Sequence, residues 1–368
     1  MTLSIVVEGY IVPSISVIGL LGNFLTVLVL NHRAVKLKKS LADILIGLAT
    51  FDNLFLIFVF FMFSLRNLSS WYDSKIFPYV APYLLPATNT LMTCSVYSTV
   101  AVALNRFIEM SPNLSMPKSC EKGSFQNSFI LIFSIIFNFS RWFELQTAFD
   151  YEERNSTFPN GSIYFFNESI IQVQPTLLRR NQTYFRIYSF GINMMIMIVF
   201  PVLIMSYSSY TIYHKMAETS MNLLSSDRNQ ARLRRNQSIT RMLIGIIIMF
   251  LICHTGKVVI SIYETFLMLF SGDTKQEFAP WAKGLIVINT LLVVINCSCN
   301  FVFYCGDVVF RECLSTISQS GCNNGIKENL YSMRQTKSVN NHQSLQNPNN
   351  ENLKPSEFTE VRESVNYV

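Results

Sequence analysis

Asp52 sits in the middle of a long uncharged run, within Leu48-Ala49-Thr50-Phe51-Asp52. A carboxylate in such a setting costs at least a few kcal/mol unless something pairs with it, so it marks a functional position. Ser95 and the amides of Asn296 and Asn300 fall at similar depth in other apolar runs. Carboxylate, hydroxyl and amide oxygens are the hard donors that suit a small cation such as Na+, or ordered water. A hydrogen-bonded polar network without an ion fits the same residues.

Arg106, in Leu104-Asn105-Arg106-Phe107, closes another apolar run, where an end-of-helix cation can simply snorkel to water. From Asn296 to Tyr304 the chain reads Asn-Cys-Ser-Cys-Asn-Phe-Val-Phe-Tyr, with amides at i and i+4 on one face and a tyrosine a turn further. Buried amides and a buried phenol need partners, so that face points inward. No His-rich metal spacing, Gly-x-Ser-x-Gly elbow or phosphate loop occurs. These residues predict no catalytic group, no metal site of the His/Cys type and no enzyme.

The elements that position them are written in the composition. Half of the 368 residues are hydrophobic and only 14% are charged, against about a quarter in soluble domains. The net charge of +6 is dispersed in short runs between uncharged stretches rather than forming a basic stripe, which excludes a nucleic-acid partner. Uncharged or nearly uncharged windows of roughly 20 residues or more, enough to cross about 30 Å of hydrocarbon, run from Tyr10 to Leu30, Leu41 to Leu65, Ile76 to Met110, Phe125 to Thr147, Tyr184 to Tyr213, Gln237 to Phe270 and Trp281 to Cys305. Backbone polar groups have no water there, so each is helical, and Pro13, Pro78, Pro82, Pro86 and Pro201 are kinks that neighbours tolerate. The expected class is an all-α membrane protein, a seven-helix bundle over residues 10–318 that ends in a short amphipathic helix. A short extracellular segment, 1–9, precedes it and a disordered cytoplasmic tail, 319–368, follows.

Cations set the orientation. His32, Arg33, Lys36, Lys38 and Lys39 fill the first connector, Lys118 and Lys122 the third, and Lys215, Arg228, Arg232, Arg234, Arg235 and Arg241 the fifth. Those connectors belong in the cytoplasm and the N-terminus outside. Sequons at Asn67, Asn155, Asn160, Asn167 and Asn181 fall on the opposite side as glycosylation candidates. Nothing before Tyr10 reads as a cleavable signal peptide, so the first helix is the expected anchor. None of the eight cysteines lies in an outer segment, which predicts no extracellular disulfide. Cys313 and Cys322, past the last helix, are palmitoylation candidates or free thiols.

Gly22-Asn23 in the first helix, Leu-Ala-x-x-Asp52 in the second, the Arg106 triplet in the third, Pro201 in the fifth, Phe250-x-x-Cys253 in the sixth and Asn300-x-x-x-Tyr304 in the seventh resemble a rhodopsin-like G-protein-coupled receptor. The order and spacing of these motifs carry the resemblance over residues 10–318. It implies a trimeric G protein meeting Arg106, the first connector and the basic run Arg232 to Arg241, with Phe250, His254 and Tyr304 in the activation path. It also implies a receptor kinase and arrestin acting on tail residues such as Ser315, Thr316, Ser318, Ser320, Thr336 and Ser338, lipid contacts, and a multi-pass place in the plasma membrane. The chain departs from the pattern at Asn105, where an acid is usual, at His254, Gly256 and Phe301, and at Ala81, where the cysteine of the usual loop disulfide would stand. Asn105 cannot hold Arg106 in a charged lock, which raises the expectation of basal activity.

Thr88 occupies the position of the aminergic aspartate and Val294 that of the retinal lysine, which disfavours amine and retinal ligands and leaves Thr88 as a neutral pocket position. Ser162 to Phe166 and Ile170 to Val173 flank Asn167-Glu168-Ser169 as a β-hairpin lid of the kind found over peptide sites. Asn138-Phe139-Ser140-Arg141-Trp142-Phe143-Glu144, Leu178-Arg179-Arg180-Asn181-Gln182-Thr183-Tyr184 and Thr93-Cys94-Ser95-Val96-Tyr97 are similar to invertebrate FMRFamide-type neuropeptide receptors. That resemblance implies a short peptide ending in Arg-Phe-amide, whose cation and ring need a carboxylate and aromatic walls. Glu144 and Glu264 are the carboxylates, or else partners of Arg141 and Lys257; Trp142, Phe143, Tyr263 and Trp281 are the walls, or else interface anchors. Lys257 and His254 face the interior. An ion-coupled transporter or channel using the Asp52 cluster, and a receptor-like protein that has lost coupling, are the competing readings.

Overall fold

The computed structural model describes residues 3–32, 38–111, 122–157, 163–222, 227–270, 279–305, 311 and 314–315, without the side chains at 152–168, 216–244, 247, 268–270 and 304. Helix α1 spans Leu3–Asn31, α2 Lys39–Leu68, α3 Phe77–Glu109 and α4 Gly123–Phe137. The hairpin β1 Leu145–Thr157 and β2 Ile163–Pro175 follows, then α5 Gln182–Lys215, α6 Asp227–Phe270 and α7 Pro280–Cys305. Six of these helices hold a run long and apolar enough to cross a membrane, and α4 is a shorter apolar helix.

The helices are inverted relative to those of a water-soluble bundle. On α1, Val17, Ile18, Leu21, Phe24 and Leu28 face outward, while Ser16, Gly19, Asn23 and Thr26 are buried. On α4, Phe125, Phe129, Ile132 and Ile136 face outward, and Ser134 is buried. Apolar side chains outside and small or polar ones at the contacts are what hydrocarbon demands, because helices there associate by close backbone approach and interhelical hydrogen bonds. A Cβ on Gly19 would lie 2.3 Å from Ser298 Oγ, and one on Gly22 2.9 Å from Phe301 Cβ, so these glycines let α1 press on α7. Asn23 Nδ2 then donates to Cys297 O at 3.1 Å across the contact.

The core lies where α2, α3 and α7 meet, around Phe55, Leu56, Val59, Leu91, Val294 and Cys297. A second cluster, Val96, Val100, Ala103, Met197, Met205 and Phe250, joins α3 to α5 and α6. Helix α3 runs through Pro82 and Pro86; past them, the side chains of Thr88, Asn89, Thr90 and Thr93 each donate to the carbonyl four residues back.

Three boundaries differ from expectation. Helix α1 begins at Leu3 rather than Tyr10, through a wide π turn at Val7–Ile11, so most of segment 1–9 is helical. Helix α4 stops at Phe137 instead of continuing toward Thr147. Asn138 ends it: its side chain, 1% exposed, donates to Thr93 Oγ1 and Ser134 O, both at 2.9 Å, and turns the chain into a 3-10 segment at Phe139–Phe143. The hairpin is also longer than predicted, pairing Leu145 with Pro175 through to Thr157 with Ile163. Asn167-Glu168-Ser169 lies inside β2, and the connection falls at 158–162, where the sequence reads Phe-Pro-Asn-Gly-Ser, a stronger turn signal. The amphipathic helix after α7 and the tail lie outside the described residues, apart from Arg311, Leu314 and Ser315.

The base of the hairpin is pinned without sulfur. Thr147 Oγ1 donates to Pro78 O at 2.7 Å, Thr176 N to Glu144 O at 2.9 Å and Thr176 Oγ1 to Phe143 O at 2.6 Å. Beside it, Tyr72 in the short helix Ser70–Lys75 donates to Phe61 O at 3.1 Å, and burial raises its phenol pKa above the ordinary value.

At the opposite end, Gly123 begins α4 against α2. A Cβ there would meet Ser40 O at 2.3 Å and Asp43 Cβ at 2.5 Å. Gly123→Ala is therefore expected to destabilise the bundle by about 1–3 kcal/mol through overpacking. Thermal unfolding of the purified protein checks this, and an unchanged midpoint would show that α4 shifts freely.

Candidate functional site

A cavity of about 390 Å³ opens between the helices at the hairpin end, within the range of about 300–1,000 Å³ usual for ligand sites. Phe55, Met62 and Phe63 of α2, Leu85 and Met92 of α3, Ile260 of α6 and Ile286 of α7 form its apolar walls. Its polar positions are Thr88, Asn89, Ser189, Asn193, Ser261, Asn289 and Thr290, with Arg141, Arg179, Lys257 and Glu264 supplying charge. Ser189 sits in a π turn of α5 at Phe185–Ile192, a distortion that re-aims side chains and recurs at functional sites.

Glu144, 2% exposed, organises the mouth. Its carboxylate accepts from Arg179 Nη1 at 3.0 Å and from the Tyr184 hydroxyl at 2.8 Å, with Arg141 Nη1 at 3.7 Å. Arg179 also donates through Nη2 to Glu264 Oε1 at 2.6 Å. One loop guanidinium thus bridges the end of the 3-10 segment that follows α4 and the hairpin-side part of α6. The fork geometry and delocalised charge of arginine suit it to such a double contact. Arg179 further stacks over Phe185, and Arg141 over Tyr188. The pairing of Glu144 with Arg141 is present but secondary; Glu264 pairs with Arg179 and not with Lys257.

Of the predicted pocket residues, Glu264, Lys257 and Thr88 line the cavity, and Glu144 stands behind Arg179. Trp142 and Phe143 do not line it. They are 41% and 54% exposed, on the outward side of the 3-10 turn, where Phe143 packs edge-on against Phe139. The early end of α4 rotates them away. Tyr263 is likewise off the cavity wall, 4.5 Å from the half-exposed Trp281 ring. The sequence reading assigns no cavity role to the other lining residues, Arg179, Arg141, Ser189, Asn193 and Asn289 among them.

Deeper in the bundle, Asp52 is completely buried and receives Ser95 Oγ at 2.5 Å and Asn300 Nδ2 at 2.6 Å. The Cys297 thiol, not Asn296, stands beside the carboxylate. Cys297 and Asn296 flank the direction of Asn300 on α7, and it is the Cys297 side that faces Asp52. Asn300 presents its amide nitrogen to the carboxylate. The cluster is a hydrogen-bonded network that ties α2, α3 and α7 together.

Towards the other end, Phe250 and His254 are both buried on α6 with ring centroids 4.2 Å apart. Arg106 pairs with Glu109 Oε2 at 2.8 Å, three residues along α3. The charged contact comes from Glu109 and not from Asn105. Asn105 instead donates to Ala101 O and Gln126 Oε1, both at 2.8 Å, towards α4. Lys215 Nζ donates to Ser111 Oγ at 2.6 Å, joining α5 to the end of α3. Tyr304 is in the last turn of α7, and its side chain lies outside the described residues.

Among the sequons, Asn67 Nδ2, the atom a glycan would occupy, donates to Glu8 Oε2 at 3.1 Å and Phe63 O at 2.8 Å. Asn181 is exposed and caps the start of α5 through Oδ1, accepting from Thr183 N and Tyr184 N. Asn160 and the side chains of Asn155 and Asn167 lie outside the described residues, as do Cys313 and Cys322.

The sequence pattern of the 7 transmembrane receptor (rhodopsin family) matches residues 22–304. Curated relatives include a Drosophila melanogaster protein named FMRFamide receptor, 24% identical over 313 residues, covering 83% of this chain and 51% of the fly protein. A Caenorhabditis elegans protein named probable G-protein coupled receptor frpr-1 is 28% identical over 323 residues, covering 82% of this chain and 75% of its own length. Another from that species, named FMRFamide peptide receptor frpr-18, is 25% identical over 318 residues, with 84% and 68% covered. The chain thus spans about half the length of the fly receptor that it matches. With an apolar-out helical bundle, a polar core joining three helices and a family pattern from the first helix to the seventh, the chain belongs to the rhodopsin family of seven-transmembrane receptors.

Proposed function

We propose that the chain is a G-protein-coupled receptor of the plasma membrane for short, C-terminally amidated peptides of the Arg-Phe-amide type. The observation that carries this reading is the pair Glu144 and Glu264 held on either side of Arg179 at the cavity mouth. A guanidinium already fits between them, so a ligand's arginine can exchange with Arg179 and meet the same two carboxylates. The apolar walls supplied by Phe55, Met62, Phe63 and Met92 receive an aromatic ring. The names of the relatives favour the same class of ligand. The hairpin end is then extracellular, and glycosylation falls on Asn181 more readily than on Asn67, whose amide nitrogen is engaged.

Helix α6 carries the signal. It presents Glu264, Ser261, Ile260 and Lys257 to the cavity, and further along it packs His254 and Phe250, the latter against α3 and α5. Releasing Glu264 from Arg179 frees the outer part of α6 from the hairpin. A ligand that binds the released arrangement more tightly shifts the population toward it. At the inner end, Arg106 and the basic run Arg232 to Arg241 then meet the G protein. Receptor kinase and arrestin act on the tail.

Second-messenger output, as calcium and cyclic AMP, from cells expressing the chain tests this against amidated peptides and their free acids. Arg-Phe-amide peptides are expected to give a saturable response. Glu264→Gln is expected to lower their potency by roughly tenfold or more, the worth of a charge-assisted contact. Silence across the panel at normal surface expression would remove the peptide reading.

A further inference from the structure

The cavity carries more positive charge than its carboxylates offset. Arg141, Arg179 and Lys257 line it, against Glu264 on its wall and Glu144 just behind. Arg179 bridges both carboxylates, and Arg141 approaches Glu144 only at 3.7 Å. Arg141 Nε is left buried without a hydrogen-bond partner among the described residues. Among the described residues no carboxylate pairs with Lys257. Its Nζ is sealed from solvent, donates to nothing among the described residues, and lies near enough to Arg141 for the two like charges to repel.

A desolvated cation calls for a counter-charge, because neither water nor a protein group replaces the hydration it has lost. The surroundings are built to hold one. Ser189 and Asn289 both line this cavity, and Ser189 Oγ and the side-chain oxygen of Asn289 are buried with no hydrogen-bond partner among the described residues. A hydroxyl rotates freely, and an amide's oxygen and nitrogen are interchangeable at the level of placement, so both can turn a donor inward. Lys257 is two turns deeper on α6 than Glu264, about 10 Å along the axis.

We propose that Lys257 Nζ and Arg141 Nε, with the Ser189 hydroxyl and the Asn289 amide of the same cavity lining, form an anion subsite that takes a carboxylate of the ligand. This rests on the peptide-receptor reading above and adds to it. The ligand carries its cation at the mouth and an anion about two helical turns further in. That carboxylate comes either from an acidic side chain of an amidated peptide or from a free C-terminus, and the amide specificity proposed above favours the side chain.

Two measurements on the full-length receptor decide the matter. In nanodiscs without peptide, the unfolding midpoint is followed against sodium acetate, with ionic strength held constant by sodium methanesulfonate. The expected result is a saturable rise for the wild type and for Lys257→Arg, and none for Lys257→Gln. In cells, Arg-Phe peptides are compared as amide and as free acid, with aspartate or asparagine at each position before the arginine. One aspartate position in the amide series is expected to raise potency by about tenfold over asparagine. That ratio should fall to about one in Lys257→Gln and persist in Lys257→Arg.

If the free acids win instead and Lys257→Gln erases their advantage, the subsite stands, while the amide specificity falls. If no peptide acts, the peptide reading falls and the acetate titration alone decides the subsite. An acetate response absent in the wild type or unchanged in Lys257→Gln, or an aspartate preference that ignores Lys257, would overturn the proposal.

Discussion

Glu144→Gln is expected to destabilise the receptor by about 3–5 kcal/mol, the usual consequence of removing one member of a buried ion pair. The carboxylate is 2% exposed and serves Arg179, Tyr184 and Arg141 together. Its loss strands two guanidinium groups and lets the hairpin base swing away from α6. The measurement is a thermal double-mutant cycle on purified protein. Arg179→Gln should recover a good part of the loss in the Glu144→Gln background, because it removes a cation left with half of its partners. A coupling of about 2 kcal/mol is expected for groups in direct contact. Strict additivity would show that the bridge is decorative.

Asp52→Ala is expected to cost about 3 kcal/mol or more. The substitution leaves the Ser95 hydroxyl and the Asn300 amide buried with no acceptor, each at a penalty of about 1–3 kcal/mol. Asp52→Asn keeps an acceptor oxygen and the side chain's shape, and should lose much less. Surface expression and unfolding of the two variants, read together, check the ordering. Because the network joins α2, α3 and α7, the alanine variant should also change basal second-messenger output. Equal behaviour of the two variants would mean that the carboxylate's contacts contribute little to holding these helices together.

The positions of the helices were legible because charge is intolerable in hydrocarbon, and uncharged runs of sufficient length therefore announce themselves. The end of α4 was not. Phe139 to Phe143 continues with three aromatics around a single Arg141, and only the fold brings Asn138 onto Thr93 to turn the chain. The same error carried Trp142 and Phe143 into the predicted pocket, since an interface aromatic and a pocket aromatic look alike until the backbone direction is known. The hairpin was visible, but its turn was misplaced: the β1 run contains Asp150, Glu152 and Glu153 and reads as a loop until β2 pairs with it.

Asp52, Ser95 and Asn300 were found by the cost of burying them, a signal local to each helix. Whether Asn296 or Cys297 meets the carboxylate was not legible, because both share a face with Asn300 and only the rotation of α7 in the bundle decides between them. Arg179 carries no sequence signal of its own. An arginine in a polar loop costs nothing in the unfolded chain, and its role appears only when two carboxylates far apart in sequence converge on it. The same holds for Glu109, whose value to Arg106 depends on a single turn of α3.

The threonine contacts at the hairpin base bear on how fast a ligand comes and goes. Each of the bonds from Thr147 to Pro78 and from Thr176 to Phe143 and Glu144 has a net worth of about 1 kcal/mol. A covalent bridge at that place would hold the lid through every excursion of the helices. A latch made of hydroxyl and amide contacts instead opens and recloses spontaneously on the nanosecond-to-microsecond scale of loop motion. On the proposed peptide-receptor reading, entry to the cavity is then limited by the release of Arg179 from its two carboxylates rather than by the lid, and dwell time can be tuned by the chemistry of one loop side chain without touching the bundle.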